Sequence, residues 1–325
     1  MNDVLYLVLP CYNEEAVLGE TAKQLSAIMA QLMQQQKIAK TSKILFVNDG
    51  STDATWPLIS ALCSQDPLFC GICLSKNAGH QNALLAGLMA AKEHADMVIS
   101  LDADLQDDVA AIEKMVDQYH QGNDIVYGVR STRKTDTWFK KHTAEGFYKL
   151  LHLLGVDIVF NHADYRLMSR PALNVLSQFE EVNLFLRGII PLLGFQTSTV
   201  TYERNPRFAG NSKYPLKKML SFAFDGITSF SIKPIRIITC LGFAIFLASL
   251  VVLSVFLILK LTGFTISGWT STVASIWMIG GIQLLCLGVI GEYIGKIYNE
   301  TKKRPRYIIA KTLLPSQNIP PDDSQ

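Results

Sequence analysis

Charged residues are scarce in this chain of 325 residues: Asp, Glu, Lys and Arg make up 18% of it, whereas hydrophobic residues make up 49%. Soluble globular proteins usually carry about a quarter charged residues, so the composition disfavours an ordinary soluble enzyme. The formal net charge is only +2, which lacks the basic surplus of a general nucleic-acid-binding protein. An apolar content this high also excludes a fully disordered chain.

Common motifs of nucleotide- and substrate-binding enzymes are absent as well. No GxGxxG follows the first predicted strand, and neither GxxxxGK[ST] nor GxSxG occurs. These absences disfavour a dinucleotide-binding fold, a P-loop ATPase and an α/β-hydrolase. The six cysteines include a single CxxC at 70–73, so a zinc site is disfavoured. Reduced thiols in a reducing compartment are the better interpretation.

Two stretches near the C-terminus, 237–259 and 264–291, contain no charged residue. At about 1.5 Å per residue, each can cross a hydrocarbon core about 30 Å thick. Basic residues flank the pair on both outer sides, whereas the turn between them carries only Lys260. The positive-inside rule therefore predicts two spans in the cell membrane, with both termini in the cytoplasm.

The segment before the first span has a helical period with one apolar face, formed by residues such as Leu216, Leu220 and Ile227. It is typical of an interfacial helix, although a helix packed on the soluble core remains an alternative. After Arg306 we expect a frayed tail. The predicted organisation is a cytoplasmic domain over 1–215, an amphipathic juxtamembrane helix over 216–232, a two-helix transmembrane hairpin over 233–298 and a cytoplasmic tail over 299–325.

Strands and helices alternate in the first part of the chain. Short apolar runs predict buried strands at 4–9, 44–47, 71–74, 97–101 and 125–129. Apolar periodicity and capping residues predict helices at 15–36, 52–63, 81–93 and 109–121. Such alternation predicts an α/β fold, with a parallel sheet covered by helices on both faces.

Ligands of such sheets bind at the carboxyl ends of the strands. Polar side chains follow each predicted strand, namely Asn13 and Glu14, Asp49, Lys76 and Asn77, and Asp102 and Asp104. We therefore expect these side chains to converge on one edge of the sheet.

Asp102 and Asp104 are separated by one residue directly after a buried strand. Two carboxylates in this arrangement can face one hard cation, Mg²⁺ or Mn²⁺. An acidic turn that caps the next helix is the alternative. Asp49 can accept hydrogen bonds from a ribose or a base, and Tyr12 offers a ring for stacking, although both also fit capped turns.

Basic residues cluster after the fifth predicted strand, around Arg130, and again just before the predicted interfacial helix. Beside a membrane they can bind an anionic lipid head group, or simply reflect the positive-inside bias. Asp164, between the two clusters, can act as a base, orient Arg130 or Arg207, or form a buried ion pair. His80 is the only histidine beside the proposed site.

Seven motifs occur in a fixed order: LPCYNEE at 9–15, NDGSTD at 48–53, LDADLQD at 101–107, DYRLMS at 164–169, GNSKY at 210–214, GEYIGKIY at 291–298 and KRPRY at 303–307. Over residues 4–311 the chain resembles the family-two glycosyltransferases with the GT-A fold. It is most similar to the membrane-anchored polyprenyl-phosphate glycosyltransferases, the bactoprenol glucosyltransferase and dolichyl-phosphate mannose synthase group.

This resemblance implies a role for each matching residue. The donor would be bound by Pro10, Tyr12, Asn13, Glu14, Asp49, Lys76, Asp102 and Ala103. A Mg²⁺ or Mn²⁺ ion would be held by Asp102, Asp104 and Gln106. The acceptor phosphate would be bound by Arg130, Arg207, Ser212 and Lys213. The residues implied in catalysis are Asp104, Asp164 and Arg130.

Two features qualify the resemblance. His80 stands where related chains often carry Lys, which leaves its role open, and the QxxRW motif of processive synthases is absent, which favours transfer of a single sugar. The resemblance implies inverting transfer of one hexose, glucose in the first instance, from a UDP-sugar to undecaprenyl phosphate, for modification of a cell-surface glycan. GlcNAc, mannose or an aminoarabinose derivative are alternative sugars.

Alternatives of another class are a non-catalytic nucleotide-sugar-binding scaffold and a small transporter. The intact acidic motif disfavours the first, and the lack of ionisable residues within the spans disfavours the second. Glycines such as Gly280 and Gly288 would allow close helix approach, and hence a homo-oligomer.

Overall fold

A computed structural model describes residues 3–130, 162–182, 184–203, 233–261 and 268–314. The predicted juxtamembrane helix at 216–232 and the motif at 210–214 lie outside these residues. The chain divides into two compact units. The first contains the N-terminal part and the segment after Pro305, and the second contains the long helices between 233 and 304.

The first unit is built around a mixed sheet of eight strands in the described residues, in the order β7-β5-β6-β4-β1-β2-β3-β8. The strands are β1 Leu5–Cys11, β2 Lys43–Asn48, β3 Phe69–Leu74, β4 Met97–Ser100, β5 Ile125–Arg130, β6 His162–Ser169, β7 Thr197–Tyr202 and β8 Ile309–Leu313. Its helices are α1 Leu18–Gln34, α2 Thr55–Gln65, α3 His80–Lys92, α4 Ala111–His120, α5 Arg170–Leu176 and α6 Leu186–Leu192.

The central strands β3, β2, β1 and β4 are parallel, as predicted. Every residue of β1 and β4 is buried, which is the pattern expected of strands covered on both faces. Leu9 of β1 lies opposite Phe46 of β2, and α1 packs Leu25 and Met29 into the same core. Burial of these apolar side chains is the main contribution to the stability of the unit.

Two strands that the sequence does not predict make the sheet mixed instead of parallel. β6 lies between β4 and β5 and is antiparallel to both, although the sequence pattern left its residues irregular. The reason is that this buried strand carries Asp164 and Arg166 side by side with its apolar residues. Their polarity hides the apolar pattern by which buried strands are predicted.

The tail is the second correction. Instead of fraying after Arg306, the chain forms β8, which pairs antiparallel with β3 at the edge of the sheet. All five residues of β8 are exposed, so the strand carries no alternating signal. Its pairing is a backbone interaction that side-chain patterns do not reveal.

The second unit contains α7 Lys233–Leu261 and α8 Trp269–Thr301. Within the described residues, one helical segment, Met278–Thr301, is long and apolar enough to cross a bilayer, with a mean hydropathy of 1.5. A shorter apolar segment, Ile235–Ile245, lies in α7. One candidate span is therefore found, and the second span of the predicted hairpin stays a prediction.

Candidate active site

The loops after β1 and β2 are joined by hydrogen bonds. Asn13 has a positive φ of 54°, a conformation that Asn tolerates better than most residues. Its side-chain oxygen accepts a hydrogen bond from the backbone N–H of Thr52 at 2.9 Å, and its own N–H donates to Oγ of Ser51 at 3.0 Å. The backbone N–H of Glu14 donates to Oγ1 of Thr55 at 2.9 Å. Asn13 and Glu14 therefore hold this edge of the predicted donor site in shape.

Two other residues assigned to the donor differ in accessibility. The Tyr12 ring is 41% exposed beside these loops, and a ring in this position is available for stacking. Pro10 is buried within β1, opposite Val47 of β2. Pro10 is therefore part of the buried sheet, and its contact with a donor stays a prediction.

Asp49 orders the loop between β3 and α3. Its buried carboxylate accepts hydrogen bonds from the backbone N–H groups of Ala78 at 2.7 Å and Gly79 at 3.0 Å. Burial raises the pKa of Asp49, although these two hydrogen bonds act in the opposite direction. Next to it, Gly50 has a φ of +61°, and a Cβ there would lie 2.5 Å from backbone atoms of Lys76. Only glycine fits this close approach, which brings exposed Lys76 to the same edge.

The acidic motif lies in the loop between β4 and α4. Ala103 is buried, and its carbonyl oxygen accepts a hydrogen bond from Oγ1 of Thr21 in α1 at 2.8 Å. Oδ1 of Asp104 accepts a hydrogen bond from the backbone N–H of Gln106 at 3.2 Å. The Asp102 side chain is 37% exposed, so it is the more open of the two carboxylates.

Asp102 lies in an acidic environment. Partial burial and the nearby carboxylates of Asp107, Asp164 and Asp104 raise its pKa to about 6, while His80 opposes them. A divalent cation would relieve this concentration of negative charge. Within the described residues there is no group of three or more His, Cys, Asp or Glu arranged to hold a metal ion. Proteins, however, usually bind Mg²⁺ with only one or two carboxylates, and substrate phosphates and water complete its coordination. The two carboxylates of this motif fit that role.

Asp164 in β6 is surrounded by positive charge. Its carboxylate contacts Arg166, accepts hydrogen bonds from Nε and Nη2 of Arg187 at 3.2 and 3.1 Å, and lies 3.5 Å from Nε2 of His80. Burial opposes its ionisation, but the contacts with these three residues hold the pKa of Asp164 well below its usual range. Asp164 is therefore ionised and strongly compensated.

His80, the first residue of α3, links Asp164 to the acidic motif. Its Nε2 atom lies 3.5 Å from Oδ2 of Asp164 and 3.6 Å from Oδ1 of Asp102. Burial disfavours the charged imidazole, but the two carboxylates outweigh it and raise the pKa of His80 to about 9. The sequence predicts that His80 lies beside the site, but it does not predict that Asp164 and Asp102 are its partners.

Arg130, at the end of β5, is held by Tyr202 and Asp107. Its Nε donates a hydrogen bond to the Tyr202 hydroxyl at 3.2 Å, and the same hydroxyl donates to Oδ1 of Asp107 at 2.6 Å. Its Nη2 lies 3.5 Å from the same Asp107 oxygen. Asp107 and Tyr202 therefore position Arg130, and the hypothesis that Asp164 orients Arg130 or Arg207 stays a prediction.

Of the predicted site residues, the structure brings Asp102 and Asp164 together through His80. Arg130 is held by Tyr202 and Asp107, while Asp107, Arg166, Arg187 and Tyr202 were missed by the sequence analysis. The acidic residue Asp107 had a local signal, since it follows the acidic motif at once. Three of the predicted acceptor residues lie outside the described residues, and their assignment stays a prediction: Arg207, Ser212 and Lys213.

Comparison with known proteins identifies the family of the chain. Residues 6–176 match the family profile "Glycosyl transferase family 2". The chain is 53% identical over 317 residues to "Uncharacterized glycosyltransferase YkoT" of Bacillus subtilis (strain 168), covering 98% of this chain and 94% of the relative. It is 40% identical over 312 residues to the bactoprenol glucosyl transferase of Shigella phage SfII, covering 94% and 97%.

Among solved structures, the mannosyl-3-phosphoglycerate synthase from Rubrobacter xylanophilus matches with a TM-score of 0.46 and 15% identity, over 69% of this chain and 71% of that one. The family profile spans more than half of the chain, and the sequence relatives match nearly all of it. The chain therefore belongs to glycosyl transferase family 2.

Proposed function

We propose that the protein transfers a single glucose from a UDP-sugar to undecaprenyl phosphate at the cytoplasmic face of the membrane, with inversion at the anomeric carbon. The observation that carries the proposal is the 40% identity to a bactoprenol glucosyl transferase over almost the full length of both chains. Matches of this extent include the C-terminal apolar helices as well as the sheet. The product would be a lipid-linked sugar for modification of a cell-surface glycan.

The donor would lie across the carboxyl ends of β1, β2 and β4. Tyr12 offers an exposed ring to the base, and Asp49 orders the loop that carries Lys76. Asp102 and Asp104, with Gln106, would hold Mg²⁺ or Mn²⁺ beside the donor diphosphate. When bound, such an ion supplies Lewis-acid stabilisation of the charge on the leaving diphosphate.

The nucleophile in this reaction is a phosphate oxygen of the acceptor. It forms a bond to the anomeric carbon, while the bond from that carbon to the donor's β-phosphate oxygen breaks and the electron pair leaves with UDP. A phosphate monoester has its second pKa near 6 and is mostly ionised at pH 7. A general base is therefore less necessary than for a sugar hydroxyl, which suits an Asp164 carboxylate already paired with Arg166 and Arg187.

On the acceptor side we assign the lipid phosphate to Arg130, Arg207, Ser212 and Lys213. Arg130 is positioned by Asp107 and Tyr202 and keeps part of its side chain exposed. The two spans, the interfacial helix at 216–232 and the cytoplasmic termini complete the proposal. They would hold the active site at the membrane surface, where the lipid phosphate lies and the soluble donor arrives.

The same site chemistry would serve GlcNAc, mannose or an aminoarabinose donor, because sugar selectivity rests on a few hydrogen bonds to hydroxyl groups. A decisive experiment is to incubate the purified full-length protein with undecaprenyl phosphate, Mg²⁺ or Mn²⁺, and a panel of radiolabelled UDP-sugars. Label in the organic extract from UDP-glucose is the expected result. If only another UDP-sugar gives label in the extract, that sugar replaces glucose in the proposal. Binding of UDP-sugars without transfer under any condition would contradict the enzymatic proposal.

A further inference from the structure

Arg187 is a charged residue of the site that none of the predicted motifs contains. It is the second residue of α6, and its Nε and Nη2 atoms grip the two oxygens of Asp164 at 3.2 and 3.1 Å. A two-point contact of this kind fixes the plane of the guanidinium. The Arg187 side chain nevertheless remains 33% exposed, so the group is both oriented and accessible.

Asp164 has a second guanidinium partner on its protected side. Arg166 contacts the same carboxylate and is only 1% exposed, whereas Arg187 lies toward solvent. Asp164 is therefore held from inside the protein by Arg166, and Arg187 is its more accessible guanidinium partner.

The backbone of Arg187 is fixed beside the rest of the site. The N–H of Leu186 donates a hydrogen bond to Oε1 of Gln81 at 2.9 Å, and the Leu186 side chain is buried. Gln81 follows His80, whose ring lies within 3.6 Å of both Asp164 and Asp102. Arg187 is therefore connected to the acidic motif by a short series of direct contacts.

We propose that Arg187 binds a phosphate group in the active site and that Asp164 is the residue that positions it. The phosphate belongs either to the donor diphosphate or to the phosphomonoester of the acceptor, since both carry anionic oxygens, which a guanidinium binds through charge-assisted hydrogen bonds. The inference rests on the proposed function. It adds Arg187 as an anion-binding residue and assigns Asp164 to the positioning of Arg187 instead of to proton transfer.

The test compares Arg187→Ala and Arg187→Lys with Arg170→Ala. Arg170, the first residue of α5, is a suitable control because it also pairs with an aspartate, Asp96, and its Nε donates to the carbonyl oxygen of Ala95 rather than to a predicted site residue. Arg187→Ala is expected to raise the KM of one substrate at least tenfold, and the identity of that substrate, UDP-sugar or lipid phosphate, names the source of the phosphate. Arg187→Lys should recover part of the loss, because a point charge replaces the fork. Both KM values within twofold of wild type would overturn the proposal.

Asp164→Asn separates positioning from proton transfer. If Asp164 positions Arg187, the variant raises the same KM as Arg187→Ala, and the double variant is no worse than the more affected single variant. A loss confined to kcat, with a KM unchanged and an effect additive to that of Arg187→Ala, would contradict the positioning role.

Binding measurements keep this inference distinct from the proposed function. UDP and farnesyl phosphate are titrated separately into wild type and Arg187→Ala by calorimetry, with no transfer required. At least a tenfold weaker binding of one of the two probes supports the phosphate role, even if no sugar is transferred to undecaprenyl phosphate. Equal affinities of both proteins for both probes would refute it, even if glucose transfer is demonstrated.

Discussion

Nη1 of Arg306 donates a hydrogen bond to the carbonyl oxygen of Phe179 across 2.8 Å. Two residues later, the carbonyl oxygen of Ile308 accepts a hydrogen bond from the backbone N–H of Ser75 at 2.9 Å. The C-terminal segment therefore binds two loops at once. One of them follows β3 and leads to His80, and the other leads to α6 and Arg187.

Arg306→Ala should loosen both loops without removing any group from the site. A hydrogen bond from a charged donor contributes about 1.5–3 kcal/mol, so we expect a lower melting temperature and faster amide exchange in peptides covering 75–85 and 177–190. Lys311→Ala is the matched control, since it removes an exposed cation from β8 and leaves the backbone pairing intact. Equal exchange in the two variants would show that Arg306 is merely a surface residue.

Asp104→Asn should be far more damaging to turnover than Asp164→Asn. Asp104 is a proposed ligand of the divalent ion, and loss of several kcal/mol of charge stabilisation corresponds to about a hundredfold or more in kcat. The nucleophilic phosphate is already ionised, so Asp164→Asn is expected to retain more of the kcat. Steady-state kinetics at saturating substrates provide the comparison, and an equal fall in kcat would instead favour Asp164 as a base.

Arg207→Ala is expected to raise the KM for the lipid phosphate far more than the KM for the UDP-sugar. The reason is charge: a guanidinium near the membrane surface recognises the anionic head group, and its loss removes a charge-assisted contact. Titrating each substrate at a fixed saturating concentration of the other measures the two values. A larger change in the UDP-sugar KM would place Arg207 on the donor side.

Removal of divalent cations should abolish transfer. With Asp102 and Asp104 as the only carboxylates assigned to the ion, its remaining ligands would be Gln106, phosphate oxygens and water, so EDTA can extract it readily. Activity should return on addition of Mg²⁺ or Mn²⁺ in excess of the chelator. Full turnover in EDTA would remove the ion from the proposal and leave His80 and Arg187 to compensate the leaving diphosphate.

The sequence predicts the centre of the fold well because its strands are buried on both faces. Runs such as 4–9 and 97–101 are apolar throughout, and the acidic motif directly after β4 marks the site. The remainder depends on long-range pairing. The polar residues Asp164 and Arg166 interrupt the apolar pattern of β6, and the exposed strand β8 has no apolar pattern. The Tyr202 hydroxyl donates a hydrogen bond to Asp107, which lies 95 residues earlier in the chain. Partners that distant become adjacent only through the strand order.

The pairing of His80 predicts a pH dependence of stability. The pKa of His80 is raised to about 9 in the folded protein by Asp164 and Asp102, against the burial that opposes it; in an unfolded chain it is near 6.5. A group whose pKa is raised on folding stabilises the protein fully below the lower value and loses that contribution as pH rises through the higher one. Between pH 6.5 and 9, wild type should therefore lose more thermal stability than His80→Gln in the same detergent. Parallel melting curves for the two proteins across that range would mean that the imidazole is not held by the two carboxylates.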